Sequence, residues 1–372
     1  MLRFFHLADF HLGVEFDSHI PALRQLLRRD MRQAFQDMVA RAISERIDGL
    51  LIAGDLLDDS SIDPRNEIFL LQQFKRLTDA SIPVYVVQGN HDFRHMLTPE
   101  SVHILGSELE VIDQPDYRIV GQSFERQFDL RTIQDLPTFA DEKPTVGLFH
   151  TQIVSHHEAD GSSYLASTVD ALEASGYDYI ALGHVHERTV FGSRKNIHYP
   201  GSFFPLSKNE VGRRGYLDVR LTPSLKVQFI PSSRTVFARM DVELMSGDDF
   251  RVRTYDQLKA LHKPDQISQI RLEGFLQPSE LQDLPEILEM LQDESDQMIE
   301  FIDRTQLVPL GDLTQNPFFQ QLLENFDSKV FARIDRTPMH QMTSQEYRLW
   351  YAKNKDRVRR MMLASFYERG QA

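Results

Sequence analysis

Five short apolar runs in the first half of the chain each stop at residues of the kind that hold metal ions. Phe4-Phe5 runs into His6-Leu7-Ala8-Asp9-Phe10-His11, Leu50-Leu51-Ile52 into Gly54-Asp55, and Val84-Tyr85-Val86-Val87 into Gly89-Asn90-His91-Asp92. Val146-Gly147-Leu148-Phe149 ends in His150, and Tyr179-Ile180-Ala181-Leu182 in Gly183-His184-Val185-His186. Runs this short and this apolar read as strands buried on both faces. Between the first two, Leu23, Leu27, Met31, Phe35, Met38 and Ala42 recur at helical spacing, as do Leu70, Phe74 and Leu77 before the third. Strands alternating with amphipathic helices predict a layered α/β domain. Ligands in such folds gather beyond the carboxyl ends of the strands, so the five strand-end loops are expected to converge.

The chain has no cysteine, which removes disulfides and thiolate sites together and leaves His, Asp, Glu and Asn as metal donors. The expected ligand set is Asp9, His11, Asp55, Asn90, His150, His184 and His186. In an extended segment residues two apart project to the same side, so Asp9 with His11, and His184 with His186, are expected to form chelating pairs. Glycine precedes Asp55, Asn90 and His184, which lets the backbone turn sharply and approach an ion closely. Two dications roughly 3.5–4 Å apart repel, and a bridging carboxylate offsets much of that repulsion; Asp55 is the candidate bridge. Imidazole, carboxamide and carboxylate donors suit manganese, iron, zinc or cobalt better than calcium. The formal net charge of −14 argues against nonspecific basic wrapping of DNA. Its acids are densest around Asp241 to Asp303, however, and two dications held by Asp9 and Asp55 would leave the site positive toward a phosphodiester.

Taken in order, Asp-x-His, Gly-Asp-x-x-Asp, Gly-Asn-His-Asp, a lone strand-end His and Gly-His-x-His resemble the calcineurin-like metallophosphoesterase superfamily. The opening His-Leu-Ala-Asp-Phe-His-Leu-Gly and the later Tyr199-Pro200-Gly201-Ser202 resemble its SbcD/YhaO-type branch of DNA-repair exonuclease subunits. The resemblance spans residues 6 to 202 and implies the layered calcineurin-like fold. It implies that Asp9, His11, Asp55 and His186 bind one divalent ion and that Asp55, Asn90, His150 and His184 bind another. Mn2+ is the first candidate, ahead of Mg2+, Fe2+, Zn2+ and Co2+. His91 is implied to stabilise the transition state and assist the leaving oxygen while a metal-bound hydroxide attacks phosphorus in line. The implied activity is 3′-to-5′ exonuclease digestion of duplex DNA ends, with endonuclease action on hairpins or single strands, in double-strand-break repair. The superfamily's phosphatases use the second Asp of Gly-Asp-x-x-Asp to hydrogen-bond the histidine of Gly-Asn-His, which predicts a pair between Asp58 and His91.

Beyond the motifs, Gly215 to Leu221 and Leu225 to Ile230 read as strands joined by the turn Thr222-Pro223-Ser224. The 372 residues exceed one ordinary core. The expected division is a metallophosphoesterase domain over 1–235, a small α+β cap over 236–305 and a helical C-terminal arm over 306–372. In the arm, Tyr347, Tyr351, Val358, Met362 and Phe366 form an apolar stripe beside basic residues. Such a stripe either packs on its own domain or, as the resemblance implies, grips the coiled coil of an SbcC-like SMC-type ABC ATPase. A homodimer is a further expected assembly. No apolar run reaches bilayer length and no signal-peptide pattern opens the chain, so a cytoplasmic location without membrane contact is expected. His156 and His157 are read in two ways, as lining of a substrate channel or as a solvated loop pair. Two other functions compete. A phosphatase or small-molecule phosphodiesterase shares the fold, although protein phosphatases continue Gly-Asp-x-x-Asp with Arg-Gly where this chain has Asp59-Ser60. The second is a DNA-end-tethering scaffold for an ABC ATPase.

Overall fold

The computed structural model describes residues 2–16, 21–58, 63–93, 102–155, 164–233, 235–247, 249–263, 266–295 and 298–307, with scattered helical positions between 321 and 351. The chain divides into two compact units, 1–238 with 265–267, and 239–264 with 268–372. The first unit opens with β1 (Arg3–Leu7), α1 (Pro21–Glu45), β2 (Gly49–Ala53), α2 (Pro64–Asp79) and β3 (Val84–Val87). Short strands follow: β4 (Val102–Ile104), β5 (Glu110–Asp113), β6 (Arg118–Gln122) and β7 (Asp129–Thr132). Then come β8 (Thr145–His150), β9 (Tyr164–Ala166), α3 (Val169–Ala174) and β10 (Tyr179–Gly183). The unit closes with β11 (Thr189–Phe191), β12 (Ile197–Tyr199), β13 (Gly215–Arg220) and β14 (Lys226–Pro231).

These strands build two six-stranded sheets, ordered β14-β13-β1-β2-β3-β4 and β11-β12-β10-β8-β6-β5. Neighbours from β1 to β4 are parallel, as are those from β6 through β8 and β10 to β12, so within each sheet the motif-bearing ends share one edge. Phe4, Leu51, Tyr85 and Val87 of the first sheet bury against Val146, Leu148, Tyr179 and Ala181 of the second. On the outer side of the first sheet, Phe35 of α1 stacks on Phe10 at 4.9 Å. Outside the second sheet, Leu172 of α3 packs with Val120, Phe149, Ile180 and Leu182. The result is a helix–sheet–sheet–helix layering, the α/β class that the periodicity predicts. Burial on both faces explains why β2 and β3 read as unbroken apolar runs, for every position in them is buried.

A buried polar link through His6 joins the two sheets. His6 in β1 donates from Nε2 to the Leu182 carbonyl of β10 at 3.1 Å and accepts at Nδ1 from the Tyr179 hydroxyl at 2.8 Å. A carbonyl only accepts, so Nε2 carries a proton. Complete burial pushes the His6 pKa down to about 3, with the nearby His198 acting in the same direction.

The second unit alternates strands and helices, with two short strands added. It carries most of β15 (Val236–Glu243), then α4 (Phe250–Lys259), β16 (Gln266–Glu273), β17 (Phe275–Leu276), α5 (Pro278–Glu294), β18 (Ile299–Asp303) and β19 (Gln306–Leu307). β15, β16 and β18 form one sheet, and Leu258 and Leu284 of the two helices pack on Ile270 and Leu272. Most of 308–372, and with it most of the expected arm, lies outside the described residues. Of the stripe, Tyr351 is described, and it is buried. Among the described residues, no helix is long and apolar enough to cross a membrane.

Candidate metal centre

Beyond the ends of β1, β2 and β10 the backbone turns into left-handed conformations. Asp9, His11, Asp55 and His184 have φ of 51°, 46°, 49° and 104°. The expectation that Asp9-x-His11 and His184-x-His186 lie on extended segments is therefore corrected. Non-glycine residues in this region cost about 1–3 kcal/mol each and persist where their surroundings fix them. Here the fixing bonds run between loops. The Asp9 amide donates to the Gly54 carbonyl at 3.1 Å and the His11 amide to the Asp55 carbonyl at 2.9 Å. The His184 amide donates to both carboxylate oxygens of Asp9 at 3.1 Å. The turn also splits the expected His184–His186 chelating pair. His184 sets its ring 5.2 Å from that of His150, and His186 sets its ring 5.4 Å from that of His11.

Three of the imidazoles are oriented alike. His150 donates from Nδ1 to the Ala53 carbonyl at 2.8 Å, which leaves Nε2 lying 3.3 Å from Oδ2 of Asp55 and 3.2 Å from Oδ1 of Asn90. His11 donates from Nδ1 to Oδ1 of Asp58 at 3.2 Å and turns Nε2 toward Oδ2 of Asp55 at 3.5 Å. His186 donates from Nδ1 to Oε1 of Glu210 at 2.8 Å, with Nε2 lying 3.9 Å from Oδ1 of Asp9. Committing Nδ1 to an acceptor and turning Nε2 toward the carboxylates is the arrangement that orients metal-binding histidines. Glu210 is absent from the expected set. It stands in an irregular stretch 24 residues past His186, without a motif, and its other oxygen accepts from the Ser202 hydroxyl at 2.7 Å.

Asp58 does not make the predicted bond to His91. It lies 3.8 Å from Nδ1 of His91, beyond hydrogen-bond range, and gives its oxygen to His11 instead. Nδ1 of His91 is buried and has no hydrogen-bond partner among the described residues, while the His91 amide donates to Oδ1 of Asp55 at 2.9 Å. Asp92 pins the loops together, accepting from the Leu56 and Gly89 amides at 2.7 Å each. His156 and His157 lie outside the described residues.

The electrostatics follow from two carboxylates and several imidazoles packed in a dry space. Burial pushes the Asp9 pKa up. Asp55 is as deeply buried, yet the charges of His150 and His11 hold its carboxyl below the usual range. Burial alone would lower His150, but Asp55 and Asp9 outweigh it and push its pKa up to about 9. Burial, with the charge of His150, pushes His184 down to about 3 and keeps the ring neutral, with one nitrogen lone pair available. Burial opposes the charged forms of His11 and His186 too, and the bonds from Asp58 and Glu210 raise both.

Three features suit divalent ions. Nε2 of His11 is buried without a hydrogen-bond partner, as expected of an atom that awaits an electrophile. A Cβ on Gly89 would fall 2.2 Å from Oδ1 of Asp55 and 2.8 Å from Nε2 of His150, so only glycine leaves the cradle open. Donor atoms converge within 4.8 Å of one another in three groups, Asp9-His11-His186, Asp9-Asp55-His150 and His11-Asp58-His91.

A family model described as "Calcineurin-like phosphoesterase" matches residues 2–188, half of the chain. This chain belongs to that family. Among the relatives of this phosphoesterase is "Uncharacterized metallophosphoesterase YhaO" of Bacillus subtilis, 27% identical over 93% of each chain. "DNA double-strand break repair protein Mre11" of Aeropyrum pernix is 26% identical over 59% of this chain and 58% of its own. A component of the nuclease SbcCD of Escherichia coli is 26% identical over 58% of this chain and 64% of its own. The matches to those last two relatives therefore stop short of two thirds of their length. As a calcineurin-like phosphoesterase with clustered Asp and His, the chain is a phosphoester hydrolase with a donor set for divalent metal ions.

Proposed function

We propose that this chain is a two-metal phosphodiesterase that cuts nucleic acid, a DNA double-strand-break nuclease with 3′-to-5′ exonuclease action on duplex ends and endonuclease action on hairpins or single strands. The observation that carries the reading is the position of Asp55, whose Oδ2 lies 3.5 Å from Nε2 of His11 and 3.3 Å from Nε2 of His150. One carboxylate thus serves two imidazoles, as a bridge requires. In this reading Asp9, His11, Asp55 and His186 hold one ion, and Asp55, Asn90, His150 and His184 hold the other, manganese being the first candidate. When bound, such a pair supplies Lewis acidity and positive charge to a phosphodiester.

The chain's own residues do the rest. Asp58, Glu210 and the Ala53 carbonyl fix three histidine rings by their Nδ1 protons. Asp92 holds the loops of Asp55 and Asn90 in register. His91 keeps a free Nδ1 beside the cluster, from which a proton can pass to the leaving oxygen. Relatives named for double-strand-break repair and as part of a nuclease support DNA as the substrate. The reading divides the chain into a nuclease domain over 1–235, a cap over 236–305 and an arm over 306–372 that engages an SMC-type ABC ATPase.

The test is manganese-dependent digestion of end-labelled duplex DNA, run beside hydrolysis of bis-p-nitrophenyl phosphate, with and without candidate ATPase partners. Release of mononucleotides is the expected result. Turnover of the small diester with DNA left intact would replace this reading with a small-molecule phosphodiesterase. ATPase capture without any cleavage would replace it with a tethering scaffold.

A further inference from the structure

A cleft of about 770 Å³ opens beside the stretch that follows His11, between α1 and the start of α2. Its volume lies in the range of ~300–1,000 Å³ usual for bound organic ligands, far more than one small ion requires. Its floor is Leu12 to Glu15 and its walls carry four arginines, Arg28, Arg29, Arg32 and Arg65, against the acids Glu15 and Asp63. Asp63 is already engaged, at 2.7 Å, by Arg65. In a chain of net charge −14 the lining of this cleft is positive. Like charges gathered in one concavity repel, and an anion lying among them relieves that repulsion.

The cleft is shaped as well as charged. Arg28 and Arg32 are four apart on α1 and so project from one face of the helix, with Arg29 beside them. Arg32 is held rigidly, donating to Oδ1 of Asn66 at 2.6 Å and lying over the Phe69 ring at 5.7 Å. Arg28 and Arg29 are exposed and form no ion pair with any described residue, so their guanidinium groups are free to reach a ligand. Gly13, two residues past His11, has φ +110°, and a Cβ there would fall 2.9 Å from Nδ2 of Asn66. The loop that carries His11 thus presses on the residue that fixes Arg32. An arginine array that starts where the metal-centre loop ends suits a ligand with several phosphates in a row, one of them at the centre.

We propose that this cleft binds the sugar–phosphate backbone of a nucleic-acid strand on one side of the scissile bond, through Arg28, Arg29 and Arg32. The proposal rests on the nuclease reading above. It is tested on the full-length protein by fluorescence anisotropy with a labelled 20-nucleotide DNA strand and its duplex, in EDTA to prevent cleavage, across a salt series. For the single strand, the double substitution Arg28→Gln and Arg29→Gln should lower the slope of log affinity against log salt by about 1.4, which corresponds to a loss of about 25-fold at 0.1 M salt. Arg28→Lys with Arg29→Lys keeps both charges and should restore most of the affinity and the slope. Metal content and melting temperature, measured alongside, should match the parent, which separates a lost contact from misfolding.

An unchanged slope and affinity in the glutamine variant, in a protein that binds and cleaves DNA, would overturn the cleft proposal and leave the nuclease reading standing. Arginine-dependent binding by a metal-loaded protein that never cleaves DNA would support the cleft and overturn the nuclease reading. A parent that neither binds nor cleaves DNA would overturn both.

Discussion

The carboxylate of Glu210 lies 2.8 Å from Nδ1 of His186 and holds that ring with Nε2 turned toward Asp9. Partners of this kind fix the tautomer and raise the basicity of a ligand, and their loss typically costs about 10- to 100-fold in metal affinity. Glu210→Gln should show a loss in that range by isothermal titration with Mn2+. Gln still accepts from the Ser202 hydroxyl and the Leu206 amide, so the metal-free chain should melt close to the parent. Parental affinity in this variant would remove Glu210 from the centre.

Asp58 tests where its own effect is felt. Because it bonds to His11 at 3.2 Å and stands 3.8 Å from His91, Asp58→Asn should weaken the ion held by His11. The same bond raises the His11 pKa against burial, so its NMR titration midpoint in the metal-free chain should move down. Full occupancy of both ions and an unmoved His11 midpoint, with turnover alone reduced, would return Asp58 to His91.

Metal uptake should be linked to protons. Asp55 and Asp9 hold the His150 pKa up to about 9, and Nδ1 is committed to Ala53, so a proton must leave Nε2 before an ion can take its place. Below about pH 9 binding then releases a proton and affinity climbs about tenfold per pH unit, flattening above it. Titration calorimetry at pH 7 in two buffers of different ionisation enthalpy reads that proton directly, and equal heats would contradict the linkage. Asp55→Asn removes the charge that sustains the His150 pKa and, as a bridge, should empty both sites. Two full equivalents of metal in that variant would end the bridging assignment.

His6 sets a stability limit on the acid side. Its pKa is about 3 when folded against an ordinary 6.5, so below pH 6.5 the unfolded chain binds a proton that the folded chain refuses. Its contribution is whole above pH 6.5 and is lost as pH falls toward 3, by up to a few kcal/mol. Denaturant unfolding at pH 4.5 and pH 7 should show a smaller acid loss in His6→Gln than in the parent. Equal losses in the two proteins would assign the acid sensitivity to other groups.

Legibility in the sequence followed the range of the forces involved. β1, β2, β3, β8 and β10 coincide with the five apolar runs because burial on both faces is written into consecutive residues, and α1 and α2 show their apolar stripes for the same reason. β4, β9, β11 and β12 have three residues each, too few to show a period, and the division into two sheets is likewise invisible to local pattern. At the candidate centre the ligand types and their strand-end placement can be read from the chain. The left-handed turns at Asp9 and His11 cannot, because bonds to Gly54 and Asp55 impose them from another strand. Glu210 is hidden by the same kind of distance.

Two of the three donor clusters take their members from both sheets. Asp9 and His11 follow β1 while His186 follows β10, and Asp55 follows β2 while His150 ends β8. Between the layers lie mainly apolar side chains and the hydrogen bonds of His6 and His150, contacts that yield gradually when one layer slides past the other. Ions held across that seam would act as rivets, since ligand–metal bonds resist shear over a much shorter distance than side-chain packing does. Pulled from its ends, a metal-loaded chain should then part at a higher force than a chelated one, which makes the mechanical strength of this fold a function of metal supply.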